Sequence, residues 1–124
     1  MFTAFEHTGL ASPDHKKLAQ WYVDVFGFVV VYQSAGATFV KAPNGSMIEI
    51  ITAEGERVEQ AMKQPGLRHV ALAVDDFEAD LARIKAAGVK FLSEPVDSKG
   101  NKVVFFTDPE GNILHLIQRS TPLP

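Results

Sequence analysis

Cysteine is absent from this 124-residue chain, which excludes disulfide bonds, thiolate metal ligands and a cysteine nucleophile. An excess of basic charge is also missing, because 12 Lys and Arg residues stand against 15 Asp and Glu residues, for a formal net charge of −3. Such a mildly acidic balance gives no support for binding to nucleic acid or to an anionic membrane surface. We therefore expect neither of them among the partners of this protein.

Long hydrophobic runs are missing as well. The longest apolar stretch, near residues 26–32, is far shorter than the roughly 20 residues that a membrane-spanning helix needs. The first ten residues, "MFTAFEHTGL", contain neither the basic segment nor the apolar core of a secretory signal. We expect one domain over residues 1–124, located in the cytoplasm, with enough chain to bury a hydrophobic core.

The chain does contain an internal repeat. The segment "FVKAPNGSMIEIIT" matches "FFTDPEGNILHLIQ" at a constant offset of 66 positions (115 − 49), which pairs Glu49 with His115. The segments "EHTGLASPDHKKLAQWYVDVFGFVVVY" and "RHVALAVDDFEADLARIKAAGVKFLSE" also share one design, a histidine in a strand-like run followed by an amphipathic helix. Two similar modules explain both matches. Module one covers about residues 4–52 and module two about residues 67–119, with residues 53–66 as the linker.

Each module is predicted to be β-α-β-β-β, which makes the fold class α+β. In module one, Ser12 is a candidate N-cap and Gly27 a C-terminal stop for the helix. In module two, Asp75 and Glu78 form a candidate capping box, and Gly88 ends the helix. The linker is expected to hold one helical turn. The predicted strands that follow the two helices are residues 28–32, 38–41 and 47–52, then 89–92, 102–107 and 113–118.

Strand periodicity predicts two different faces in each module, because successive side chains of a strand point to opposite sides. One face is aliphatic in both closing strands and should pack under the helices. The other face combines small residues with titratable ones, as expected of the wall of a concave pocket. The aliphatic face carries Ile48, Ile50, Leu114 and Leu116, and the titratable face carries His7, Glu49, His69 and His115.

Three of the four histidines and Glu49 thus occupy equivalent places in the two modules. Imidazole and carboxylate are the ligand types for one divalent metal ion such as Zn, Ni, Fe, Co or Mn. Taken singly, each histidine could be a hydrogen-bonded core residue and Glu49 could face solvent, but their repeated placement favours a shared metal site. The remaining histidine, His15, is expected to be a solvated surface residue at a helix start.

At these motifs the chain resembles the vicinal oxygen chelate superfamily, which includes glyoxalase I, extradiol dioxygenases and bleomycin-resistance proteins. The resemblance is carried by "EHTGLAS", "LRHVALAV", "MIEII" and "GNILHLI". It implies that the two modules form an incompletely closed eight-stranded barrel and that the protein is a homodimer. It also implies a metal in the concave groove, with ligands at His7, Glu49, His69 and His115.

The resemblance further implies a metal-dependent enzyme, lyase- or isomerase-like, that acts on a small oxygenated substrate through a metal-stabilised enediolate and a proton transfer. Glyoxalase I-like members carry Glu where this chain has His115, so the catalytic base here is either Glu49 or His115. An Fe(II)-dependent ring-cleaving dioxygenase, using His7, His69 and Glu49, is an alternative. A metal-free protein that binds a small molecule such as an antibiotic is another, from a different functional class.

Overall fold

The computed structural model describes residues 1–124 and divides them into two units, Met1–Arg57 and Val58–Pro124. The division falls inside the predicted linker, residues 53–66. Each unit contains one helix and one small β-sheet, so the mixed α+β class is as predicted. No helix is both long and apolar enough to span a membrane.

The first unit has the predicted β-α-β-β-β order. Its sheet runs β1-β4-β3-β2, with β1 parallel to β4 and the other neighbours antiparallel. The parallel pairing of the first and last strands sets the histidine-bearing strand beside the strand that carries Glu49. The elements are β1 (His7–Ser12), α1 (His15–Phe26), β2 (Val29–Gln33), β3 (Ala37–Lys41) and β4 (Met47–Thr52).

The second unit repeats this arrangement with one strand more than predicted. Its sheet runs β5-β9-β8-β6, with β5 parallel to β9, and the added strand β7 pairs with β8. The turn between β7 and β8 passes through Lys99 and Gly100, both at positive φ. The elements are β5 (Val70–Ala73), α2 (Phe77–Ala86), β6 (Lys90–Phe91), β7 (Val96–Ser98), β8 (Asn101–Thr107) and β9 (Ile113–Gln118).

Both helices begin later than predicted. Ser12 is not the N-cap of α1, because it ends β1 and its buried hydroxyl accepts a hydrogen bond from the Asp14 amide. Asp14 is the cap, and its carboxylate accepts from the Lys17 amide. Asp76 takes the same role in α2 in place of the predicted Asp75. At the other end of α1, Gly27 is the predicted stop, at a φ of 73° that favours glycine.

The core of each unit lies between its helix and the aliphatic face of its sheet, as strand periodicity predicted. The side chains of Ile48, Ile50, Leu114 and Leu116 are at most 5% exposed. In the first unit they meet the helix stripe, where Tyr22 is fully buried. Burial of each such side chain stabilises the fold by about 1.5–3 kcal/mol relative to exposure.

Two further predictions, on the linker and on the number of strands, differ from the structure. The linker has no helix: Val58 is 87% exposed, and residues 61–64 form a single turn in which the Ala61 carbonyl accepts from the Gln64 amide. The strands number nine rather than eight and lie in two sheets, one in each unit. The eight-stranded barrel therefore stays a prediction.

His15 is not the solvated surface residue that the sequence indicated, because only 6% of it is exposed. Its Nε2 lies 2.9 Å from the Ala35 carbonyl, which can only accept, so Nε2 carries the proton and donates. In the neutral ring Nδ1 then accepts from the Thr38 hydroxyl at 2.8 Å. His15 thereby ties the start of α1 to β3 and to the turn before it.

Replacing His15 with alanine should destabilise the protein strongly. The change removes the buried hydrogen bond to the Thr38 hydroxyl and the part-buried hydrogen bond to the Ala35 carbonyl, and it opens a cavity. We expect a loss of about 2–4 kcal/mol in the free energy of unfolding, measured by denaturant titration. Lys16→Ala, at the exposed neighbouring position, is the control and should change stability by less than about 0.5 kcal/mol. Equal, small effects from both variants would contradict a structural role for His15.

Candidate metal centre

In the first unit, the structure brings His7 and Glu49 together on one face of the sheet. His7 opens β1, and Gly9, two residues along, pairs in register with Glu49 on β4. The His7 Nε2 and Glu49 Oε1 atoms are 3.9 Å apart, which is too far for a hydrogen bond. The two groups therefore converge without binding each other, and both remain partly accessible.

Glu6 is a further residue of this site, and the sequence reasoning missed it. Its carboxylate lies 2.8 Å from the Nδ1 atom of His7. An ionised carboxylate only accepts hydrogen bonds, so Nδ1 carries a proton and Nε2 is the nitrogen available to bind a metal. Metal-binding histidines usually have such a partner on the second ring nitrogen. The sequence could have revealed this partner, because Glu6 is an acidic residue directly before the candidate ligand His7.

In the second unit, His69 and His115 lie side by side. His69 directly precedes β5, whose residue Ala71 pairs in register with His115 on β9. The two imidazole centroids are 4.4 Å apart, with ring planes at 68°. The Nδ1 atom of each ring is buried and has no hydrogen-bond partner, so each ring holds a polar nitrogen that the protein itself does not satisfy.

Burial and nearby positive charge keep both of these imidazoles neutral. Desolvation, followed by the effects of His69, Arg119 and Arg68, lowers the pKa of His115 to about 4. Desolvation and then Arg68 also lower the pKa of His69. Arg68 precedes His69 as Glu6 precedes His7, so the two modules surround their histidines with opposite charge. Neutral imidazole is the form that binds metal ions.

Aromatic rings flank the candidate ligands at equivalent places in the two units. Phe39 pairs in register with Glu49, and Phe105 pairs with His115. Phe39 meets the His7 ring edge-on at 5.6 Å, and the exposed Tyr32 contacts Phe39 at 5.9 Å. The sequence analysis did not single out Phe105, which the repeat offset of 66 could have revealed.

The candidate ligands thus form two pairs, one in each unit, and no group of three or more His, Asp or Glu side chains lies close enough together to hold a metal ion. The donor chemistry of each pair fits a divalent metal. One pair offers an imidazole and a carboxylate, and the other offers two imidazoles whose pKa values are lowered by burial, so that the neutral form is favoured. A single site built from all four residues stays a prediction.

Comparison with known proteins identifies the family. A sequence profile of the Glyoxalase/Bleomycin resistance protein/Dioxygenase superfamily matches residues 4–116. A probable lactoylglutathione lyase of Vibrio cholerae serotype O1 is 31% identical over 123 residues, which cover 90% of this chain and 88% of the relative. The uncharacterized protein YaeR of Escherichia coli K12 is 30% identical over 121 residues, which cover 91% of this chain and 94% of the relative.

Among solved structures, oxidase ChaP-H2 is similar with a TM-score of 0.77 and 27% identity, over 96% of this chain and 95% of that protein. The chain therefore belongs to the Glyoxalase/Bleomycin resistance protein/Dioxygenase superfamily, as its motifs indicated. The profile match spans both repeats and all four candidate ligands. Since the family joins proteins with different activities, membership defines the class of this protein and leaves its reaction open.

The lowered pKa of His115 predicts how the stability of the metal-free protein depends on pH. Between about 4 and the ordinary value of 6.5, His115 is neutral in the folded chain and protonated in the unfolded chain. The unfolded state then binds more protons, so this contribution to stability is complete above pH 6.5 and is lost as the pH falls toward 4.

Chemical unfolding between pH 7.5 and 4.5 should therefore show a steeper loss of stability for the wild type than for His115→Gln. NMR titration of the ring carbons should place the midpoint of His115 near pH 4. A midpoint near 6.5, with equal slopes for the two proteins, would contradict the environment described for this ring.

Proposed function

We propose that this protein is a metal-dependent enzyme of the vicinal oxygen chelate type, which acts on a small oxygenated substrate in a lyase- or isomerase-like reaction. The observation that carries the proposal is the pairing of His7 with Glu49 and of His69 with His115, at equivalent places in the two units. In this proposal the four side chains hold one divalent ion, the units form the barrel typical of the family, and the protein is a homodimer.

Three of the four side chains are suited to fixed ligand roles. His7 presents the Nε2 lone pair because Glu6 holds its Nδ1 proton. His69 and His115 are neutral at physiological pH because of burial and neighbouring cations. When bound, a Zn, Ni, Fe, Co or Mn ion would act as a Lewis acid toward substrate oxygen atoms.

Glu49 is the better candidate for moving a proton. Its side chain is about one third exposed, and its three rotatable bonds allow the carboxylate to change position. The imidazole of His115, by contrast, is stacked face to face on Phe105, and burial disfavours its protonated form. The sequence left open whether Glu49 or His115 is the catalytic base. We therefore assign proton transfer to Glu49 and a ligand role to His115.

A lyase reaction agrees with the name of the Vibrio cholerae relative, a probable lactoylglutathione lyase. The second candidate function is an iron-dependent dioxygenase. It is favoured by the likeness to a protein named oxidase ChaP-H2 and by the two histidines and one carboxylate available in His7, His69 and Glu49. Oxygen consumption by the anaerobically iron-loaded protein with catechols would support this second function. A metal-free small-molecule binder is the third candidate.

Metal analysis of purified variants tests the proposal. The wild type, loaded with Zn²⁺ or Co²⁺ and freed of excess ion, should retain about one ion per chain by mass spectrometry. Alanine at His7 or His69 removes a nitrogen ligand and should reduce affinity at least 10-fold, and His115→Ala should act similarly. Glu49→Gln should weaken binding and abolish proton exchange with substrate analogues.

Glu78→Gln is the matched control, because Glu78 is an exposed carboxylate that lies 3.6 Å from Lys102 and takes no part in the site. It should bind metal as the wild type does. A wild type that retains no metal, yet binds a small apolar ligand tightly, would favour the metal-free binding protein. Unchanged metal content in all four site variants would refute the ligand set.

A further inference from the structure

The ring of Phe105 contacts both histidines of the second unit. It is stacked on His115 with centroids 4.8 Å apart and ring planes only 13° from parallel. It meets His69 nearly perpendicularly, at 5.4 Å and 82°. Stacked and edge-to-face arrangements are the favoured geometries of aromatic pairs. One phenyl ring therefore holds two imidazole planes in different orientations at the same time.

Hydrogen bonds do not orient these two imidazoles. A metal-binding histidine almost always has a partner on its second ring nitrogen, which fixes the plane of the ring. His7 has such a partner in Glu6, at 2.8 Å. The Nδ1 atoms of His69 and His115 are buried and have none. Since rotation about the bond to an imidazole ring is intrinsically broad, something else must define these planes.

We propose that Phe105 is a positioning residue, which presets the ring planes of His69 and His115 for a cation by aromatic contact in place of hydrogen bonds. The inference rests on the proposed function for the role of the two histidines as ligands. While it stays stacked on Phe105, the His115 ring can still flip by 180° about its Cβ–Cγ bond, which swaps the two edges of the ring. Phe105 therefore defines the plane in which the nitrogens lie, and not the edge that each nitrogen occupies.

Phe105 is itself well fixed, as a positioning residue must be. It lies on β8, between β9 and β6 in the sheet. Its amide donates to the Ser93 hydroxyl at 3.2 Å, and its carbonyl accepts from the Leu92 amide at 2.9 Å. Its register partner on β9 is His115, so backbone pairing sets the distance between the stacked rings.

The repeat provides an internal comparison. Phe39 is the equivalent residue of the first unit, but it contacts one histidine, His7, with an edge-to-face geometry at 5.6 Å. That histidine already has the Glu6 carboxylate on Nδ1. Removing the Phe39 ring should therefore disturb its histidine much less than removing the Phe105 ring disturbs His69 and His115.

The test compares Phe105→Leu, which keeps an apolar side chain and removes the flat ring, with Phe105→Tyr, which keeps the ring, and with Phe39→Leu. Competition with a chromophoric chelator measures Co²⁺ affinity, and the visible spectrum of bound Co²⁺ reports ligand geometry. Phe105→Leu should bind Co²⁺ about 10-fold more weakly, with an altered spectrum. Phe105→Tyr should stay within about 3-fold of the wild type, and Phe39→Leu should change less than Phe105→Leu.

A second readout uses the metal-free protein. The ring resonances of His69 and His115 should be broadened or averaged in Phe105→Leu and remain sharp in Phe105→Tyr, with thermal unfolding showing that both variants are folded. If leucine prevents folding, Phe105→Met, which is flexible and unbranched, replaces it. Ordered imidazoles and wild-type Co²⁺ affinity in the leucine or methionine variant would overturn the inference. Failure of the wild type to bind Co²⁺ would refute the proposed function instead, while the ring resonances would still test the positioning role.

Discussion

In each unit, the parallel pairing of the first and last strands determines which side chains share a face of the sheet. This pairing fixes a register in which Gly9 faces Glu49 and Ala71 faces His115. Because side chains alternate along a strand, the histidines two residues earlier, His7 and His69, emerge on the same face as those partners. A slip of one residue would send Glu49 or His115 into the apolar layer under the helix.

The same alternation of side chains places a buried aliphatic layer on the opposite face of each sheet, and this layer stabilises the fold. On β4 and β9 the residues that flank Glu49 and His115 are buried aliphatics such as Ile50 and Leu114. The candidate ligands add little to stability, since the two buried Nδ1 atoms of the second unit have no hydrogen-bond partners. A buried polar group without a partner costs about 1–3 kcal/mol. The buried aliphatic layer beneath these histidines offsets that cost.

Periodicity was sufficient to predict the β-α-β-β-β order of the first unit and the buried aliphatic face, because these depend on patterns a few residues long. The role of His7, Glu49, His69 and His115 as ligands stays a prediction. Contacts between distant residues could not be read in this way. His15 was misjudged because its partner Thr38 lies 23 positions away on β3. The N-cap of α1 was misplaced because Ser12 and Asp14 are both good capping residues, and the pairing of β1 with β4 decides between them by keeping Ser12 in the strand. Phe105 was overlooked because a phenylalanine in a β-rich run also suits a core position.

The two units differ in the charge beside their equivalent histidines, which is negative in the first unit and positive in the second. Glu6 and Glu49 bring carboxylates to His7, and their negative charge would compensate that of a bound cation. In the second unit, desolvation by burial is the main cause that lowers the pKa of His115, and His69, Arg119 and Arg68 add to it. In the proposed site, three imidazole nitrogens and one carboxylate would favour transition metals over Mg²⁺ and Ca²⁺, which prefer oxygen ligands. The replacement of a second carboxylate by His115 would strengthen that preference.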